Sequence, residues 1–289
     1  MTVFDLFIQN TALLISAVFL LGLAVGSFLN VVIHRTPLMM KRDWRMQAIE
    51  ILDIGSQFPD EETSTYNLVK PDSHCPKCDH KIRWYENLPV ISYLVLKGKC
   101  SSCKNPISLR YPLVELLTGI VSGFIAWHFG ATTQLLPALI LSWGIIAMVG
   151  IDFDHQLLPD SLTLPLLWLG LLVNTQSLFV GPVSAITGAA AGYFSLWSIY
   201  WVFKLVTGKE GMGYGDFKML AMVGAWLGWQ VLPVTLLLSA VVGLAVMLPQ
   251  MLFLGREKSK AFAFGPFIGI AGWIMLVWGN EILTYLRYI

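Results

Sequence analysis

TALLISAVFLLGLAVGSFLNVVIHR, residues 11–35, decides the fold. Residues 11–33 hold no charged side chain. At 1.5 Å per residue such a run can cross the roughly 30 Å hydrocarbon core of a bilayer as one helix. Asp5 precedes it, whereas Arg35, Lys41, Arg42 and Arg45 follow it. Basic residues stay on the cytoplasmic side, so the N-terminus is expected outside and Arg35 inside. The basic n-region and small-residue cleavage site of a secretory signal are missing, so this reads as a permanent span.

Working outward, further apolar runs fall at about 111–129, 133–151, 161–180, 183–203, 219–232, 233–254 and 262–280, and Glu115 is the only Asp, Glu, Lys or Arg in any of the eight. The chain is 56% hydrophobic and 13% charged, a balance that excludes an ordinary soluble domain. The expected fold is an all-α polytopic membrane protein of about eight transmembrane helices. Alternating from the first span, the loops 34–110, 152–160, 204–218 and 255–261 should be cytoplasmic. They carry 18 of the 19 Lys and Arg residues, with only Arg287 outside them. A wrong span count would scatter the basic residues over both sides. The run 219–232 is the weakest span, being short and carrying Gly224 and Gly228. The organisation expected is a first span (1–33), a cytoplasmic insert (34–110) and a seven-helix membrane domain (111–289).

The insert holds the chain's four cysteines, in HCPKCDHKIRW and GKCSSCK: Cys75, Cys78, Cys100 and Cys103. Two C-x2-C knuckles at this separation are the pattern of a tetrahedral four-cysteine zinc site. Four thiolates leave no open position for water, so the expected Zn2+ is structural. Disulfides do not suit a reducing compartment. His74 and His80 flank the first knuckle and could substitute as ligands. Zinc knuckles also bind nucleic acid. Here, however, Lys and Arg alternate with Asp and Glu, so a solvated loop is expected and no nucleic acid.

The ionisable residues at the edges of the spans carry the chemistry. AMVGIDFDHQLLPD places Asp152 at the end of the third run, with Asp154 two residues on, and GMGYGDFKML places Asp216 before the sixth. Between them the chain crosses the bilayer twice, so both return to the same face. Two close carboxylates in a partly dry site share one proton. One can then activate water while its protonated partner polarises a carbonyl, which is aspartyl-protease chemistry. Gly213 and Gly215 would let a substrate strand approach closely. Blander roles stand beside these. A membrane-edge Asp can sit in headgroup water, Asp160 can cap a helix after Pro159, Asp154 and His155 can face water, and Lys218 can anchor the interface. The sequence GMGYG is not a dinucleotide-binding fingerprint.

In order and spacing, GSFLNVVIHR (26–35), the paired CxxC knuckles, SLRYPLVELLTG (108–119), IDFDHQLLPD (151–160) and KEGMGYGDFKML (209–220) resemble the type IV prepilin peptidases, members of the GxGD aspartyl proteases. The resemblance covers nearly the whole chain. It implies that the acid pair is Asp152 and Asp216, a choice over Asp154 that spacing alone leaves open. It implies cleavage of the short basic leader of prepilins and pseudopilins after a glycine, at the cytoplasmic face of a bacterial inner membrane. It also implies N-methylation of the new terminus from S-adenosylmethionine, an activity of members that keep the cysteine insert. Membrane lipid is the remaining expected partner. No residue is expected from the sequence to form the methyl-donor site. The rival readings are an ion- or proton-coupled transporter using the same acids, and a zinc module that only recruits partners.

Overall fold

The structure, a computed structural model, describes residues 7–52, 65–253 and 263–287. The basic loop 255–261, expected on the cytoplasmic side, lies outside the described residues, as does Asp5. Among the described residues the chain is helical, with two isolated β-bridges and no strand. Its helices are α1 (Thr11–Leu52), α2 (Ile91–Val95), α3 (Arg110–Phe129), α4 (Leu135–His155), α5 (Asp160–Asn174), α6 (Pro182–Thr207), α7 (Tyr214–Leu227), α8 (Leu232–Phe253) and α9 (Gly265–Arg287). Seven of the eight apolar runs each fall largely on one helix, and the run 219–232 divides between α7, a 3-10 turn and the start of α8. By length and composition five segments can cross a membrane: Thr11–Leu52, Arg110–Phe129, Leu135–His155, Trp229–Pro249 and Gly265–Leu286. The chain is a membrane protein.

Two helices differ from the runs that announced them. Helix α1 continues 19 residues beyond Ile33 and passes through Pro37. Hydropathy marks where hydrocarbon ends, whereas the helix continues as long as its residues favour it, and LMMKRDWRMQAIEIL is rich in good helix formers. The run 219–232 is not one helix. Helix α7 ends at Leu227 because Gly228 takes φ 81°, and a 3-10 turn at Trp229–Val231 leads into α8. With 14 residues, α7 is about 21 Å long, too short to cross a bilayer unaided.

The residues fall into two compact units, 9–124 and a larger one from 125 onward. In the first unit, α1 meets α3 through small residues. A Cβ at Gly26 would lie 2.7 Å from the Glu115 Cα, and one at Gly22 would lie 2.9 Å from the Gly119 Cα. Such close approach of helices is how membrane proteins pack where apolar burial gives no preference for protein over lipid. Glu115 is buried and accepts a hydrogen bond from the Val90 N–H at 2.8 Å. Asn30 donates to the Tyr111 carbonyl at 3.0 Å. Arg35 ends the apolar run buried, donating to the Asn67 and Pro71 carbonyls at 2.9 and 2.6 Å, and so fastens the start of the insert.

The second unit is built around α7, whose residues from Asp216 to Leu227 are all buried except Lys218. Such all-round burial marks a helix surrounded by protein rather than lipid. Gly188 and Gly192 of α6 bring its backbone against Gly224 and Leu220 of α7. Trp226, fully buried, donates to the Leu166 carbonyl of α5 at 2.8 Å. Asn174, at the end of α5, donates to the Ala225 and Trp226 carbonyls at 2.9 Å each and accepts from the Phe179 and Val180 N–H groups at 3.0 and 3.2 Å. It thereby satisfies carbonyls that the C-terminus of α7 leaves unpaired. Asp160 is the first residue of α5, not its cap, and both its oxygens accept from Lys218 at 2.7 Å, so this pair ties the starts of α5 and α7.

Candidate active site

Asp152 lies one turn from the end of α4, which closes on Gln156 in the left-handed conformation, φ 53°. Asp216 lies in the first turn of α7, three residues after the N-cap Gly213, and its backbone N–H donates to the Gly213 carbonyl at 3.2 Å. The two carboxylates meet, being 4% and 7% exposed. A Cβ built on Gly265 would stand 2.5 Å from Asp152 Oδ2 and 3.2 Å from Asp216 Oδ1, so those oxygens lie at most about 5.7 Å apart, the sum of the two. Asp152 Oδ2 is buried without a hydrogen-bond partner among the described residues. A buried polar atom without a partner is costly and points to a missing water or substrate group.

Both acids line a cavity of about 300 Å³, with Gln156, Leu158, Glu210, Gly211, Met212, Gly213, Gly215, Ala263 and Phe264. The floor is polar and the opposing walls, 210–213 and 263–264, are non-helical backbone. The two glycines play different parts. At Gly213 a Cβ would meet only Asp216 Oδ2, at 3.9 Å, which leaves the cavity open beside the acid. At Gly215 it would strike the Leu158 Cβ at 2.7 Å, so that glycine accommodates a neighbour in the wall. Asp154 is exposed and does not line the cavity. Glu210 stands at the rim with its carboxylate on Lys204 at 2.8 Å. The 263–265 stretch escaped the sequence reading, although Gly-Pro at 265–266 is a helix-start signal that could have flagged it.

The cysteines form a second cluster. The two knuckles repeat one pattern. In each, the first cysteine's N–H bonds the carbonyl five residues on, Cys75 to His80 at 2.9 Å and Cys100 to Asn105 at 2.8 Å. The fourth residue on returns a bond to that cysteine's carbonyl with positive φ, 52° at Asp79 and 59° at Lys104. All four Sγ atoms lie within 4.8 Å of one another, with Cys75 and Cys103 3.8 Å apart and no disulfide. At a Zn–S distance of about 2.3 Å the edge of a tetrahedron is about 3.8 Å, so the cluster fits a tetrahedral ion. The Lys77 backbone N–H, opposed by burial, draws the Cys75 thiol down to about 7, favouring the thiolate a metal needs. Neither histidine is in the cluster. His80 instead lies 3.2 Å from Glu86 and 3.1 Å from the Ser101 hydroxyl, bridging the two knuckles.

Residues 20–129 match the bacterial peptidase A24 N-terminal domain, and residues 139–248 match the type IV leader peptidase family. A prepilin leader peptidase/N-methyltransferase of Stutzerimonas stutzeri is 54% identical over 289 residues, covering 100% of this chain and 99% of its own. One from Pseudomonas aeruginosa is 57% identical over 270 residues, covering 93% and 92%. One from Neisseria gonorrhoeae is 50% identical over 262 residues, covering 91% and 90%. No solved structure matches. The transporter reading gains no support from these relatives.

Proposed function

The chain belongs to the type IV leader peptidase family, and from that premise we propose that it cuts the leader from type IV prepilins and pseudopilins and N-methylates the residue so exposed. The observation that carries the cleavage is the convergence of two buried carboxylates on one cavity, with Asp152 Oδ2 unpartnered at its floor. In this reading Asp152 and Asp216 hold one proton between them. The ionised member takes a proton from water, and the resulting hydroxide adds to the scissile carbonyl carbon. The protonated member donates to the carbonyl oxygen. Collapse of the tetrahedral species breaks the C–N bond: the amine leaves with the proton taken from water, and a hydroxyl of the gem-diol returns a proton to the acid that donated one, which restores the pair. Gly213 gives the substrate backbone access beside Asp216, as its open surroundings support. Gly215 contributes by letting Leu158 close the wall.

The four cysteines would hold a structural Zn2+ that folds the insert, as their spacing and the repeated knuckles support. S-adenosylmethionine is the methyl donor of the second activity, and the geometry above assigns no residues to it. The chain resides in a bacterial inner membrane with its N-terminus periplasmic, eight spans and the acid pair at the cytoplasmic face. The placement of 18 of 19 Lys and Arg residues in alternate loops supports that orientation. The proposed organisation is the first span (1–33), the insert (34–110) and the membrane catalytic domain (111–289). A basic leader would stay in the cytoplasm while the apolar pilin helix lies in lipid, presenting the scissile bond at the depth of Asp216.

The test is incubation of the detergent-purified protein with a model prepilin and labelled S-adenosylmethionine, reading the new N-terminus by mass spectrometry. The proposal expects a cut after the leader glycine plus one methyl group. Asp152→Asn and Asp216→Asn should insert normally and lose cleavage by at least the ~10²–10⁴ that acid–base groups contribute. Cleavage surviving in either variant would remove the acid pair from the mechanism, and cutting without methylation would leave a peptidase alone.

A further inference from the structure

Helix α9 begins at Gly265, and the first N–H groups of a helix have no partner within it and carry its positive end. The start of this helix lies against both acids: the atoms nearest to a Cβ built on Gly265 include one carboxylate oxygen of Asp152 and one of Asp216. The same residue has no room for a side chain. A Cβ there would stand 2.5 Å from Asp152 Oδ2, 2.8 Å from Leu158 Cδ1 and 3.2 Å from Asp216 Oδ1. The unpartnered oxygen of Asp152, on a side chain 96% buried (4% exposed), therefore faces this helix start. Ala263 and Phe264, which lead into it, line the cavity. The space a methyl group would fill lies between the two carboxylates, where an attacking water and a scissile carbonyl have to fit.

We propose that Gly265 is a positioning residue of the acid pair: its missing side chain leaves the two carboxylates their spacing and keeps the reacting space between them open. This rests on the reading of Asp152 and Asp216 as the cleaving pair. It adds a third chain segment to a site that the sequence motifs draw from two. Displacing reacting groups by about 1 Å can cost ~10²-fold in rate, and the overlap at Asp152 Oδ2 is of that order.

The test uses the full-length enzyme carrying Gly265→Ala, with Gly181→Ala as a control because nothing lies within 4 Å of that position. Expected for Gly265→Ala is a fall in kcat for leader cleavage of about 100-fold or more with KM within twofold. The pH–rate profile should move, while methylation of a pre-cleaved pilin peptide is unchanged. The side chain of Leu158 offers a way to separate roles. Leu158→Ala relieves the 2.8 Å contact but leaves the one at Asp152, so the double variant should stay as slow as Gly265→Ala. Recovery in that double variant, or a Gly265→Ala enzyme with kcat within threefold and an unmoved pH profile, would overturn the proposal. Should Gly265→Ala be too unstable to assay, its thermal midpoint decides: adding Asp152→Ala should restore it and adding Leu158→Ala should not, and the opposite order would overturn the proposal. Loss of activity in Asp216→Asn alongside a fully active Gly265→Ala would sink this inference alone, whereas an active Asp216→Asn would sink the reading beneath it.

Discussion

Adding one methyl group at Gly215 should be far more damaging than adding one at Gly213, although both belong to the same GYGD turn. A Cβ at Gly215 would lie 2.7 Å from the Leu158 Cβ, against the 3.4 Å at which ordinary contact begins, so one of the two must give by about 0.7 Å. The Leu158 Cβ is held by its own backbone and cannot swing aside as a chain end would, so the strain moves the start of α7 or the 156–158 loop. Overpacking of this kind costs about 1–3 kcal/mol. A shift of several tenths of an ångström at the first turn of α7 moves Asp216 relative to Asp152 and should lower kcat by roughly 10- to 100-fold. At Gly213 the nearest atom would be 3.9 Å away and φ is −82°, within reach of any residue, so Gly213→Ala should keep kcat within about threefold. Its effect belongs in KM, because the methyl group would stand in the cavity beside the substrate. The assay is steady-state cleavage of a fluorogenic prepilin peptide by both variants, with thermal midpoints measured in the same detergent. A Gly215→Ala enzyme with unchanged kcat and midpoint, or a Gly213→Ala enzyme that loses kcat more, would refute the assignment of separate roles.

Three further outcomes follow from the geometry. Asn174→Ala orphans two carbonyls and two N–H groups and should cost about 2–4 kcal/mol at roughly 0.6–1 kcal/mol per bond, seen as a lower unfolding midpoint that the exposed-site change Thr175→Ala does not produce. Cys78→Ser or a strong chelator should remove one zinc per chain by elemental analysis and open the insert to proteolysis; a protein that keeps its metal without Cys78 contradicts the four-thiolate site. The Arg83 backbone N–H, the Ser101 hydroxyl and His80 hold the Glu86 carboxyl down to about 2 from an ordinary 4.5. A depressed folded value stabilises above the unfolded one and is lost on acidification. The stability difference between the wild-type protein and Glu86→Gln should therefore be constant above pH 4.5 and shrink toward zero by about pH 2, and a difference that grows on acidification would contradict the clamp.

The parts of this site that were legible in the sequence are those that depend on residue type and on counting. The expected pair of crossings between Asp152 and Asp216 placed both on one face, and the structure brings their side chains together. The C-x2-C spacing announces a cluster, and the four Sγ atoms form one. Hydropathy could not reveal the extension of α1, because helix and hydrocarbon need not end together. Nor could it reveal the break at Gly228, which lies inside an unbroken apolar run and depends on a single backbone angle. The two glycines of GYGD look equivalent until Leu158 is seen against one of them. Gly265 was hidden for a deeper reason. What it offers is the absence of a side chain beside the two carboxylates, and in a chain of 25 glycines only its place in space sets it apart.

Helix α7 has one more consequence, for the order in which the enzyme is made. A 14-residue helix of about 21 Å has little affinity of its own for a roughly 30 Å hydrocarbon slab. Its neighbours therefore have to carry it in, with α6, packed glycine to glycine against it, as its nearest escort. Helix α9, which brings the 263–265 segment to the carboxylates, leaves the ribosome after every other helix described here. A nascent chain can thus hold both aspartates in the membrane and still have one wall of its catalytic chamber missing. On the proposed reading of the acid pair, proteolytic competence would arrive with this helix, and a half-made enzyme would have no finished cleft with which to cut the membrane proteins growing beside it.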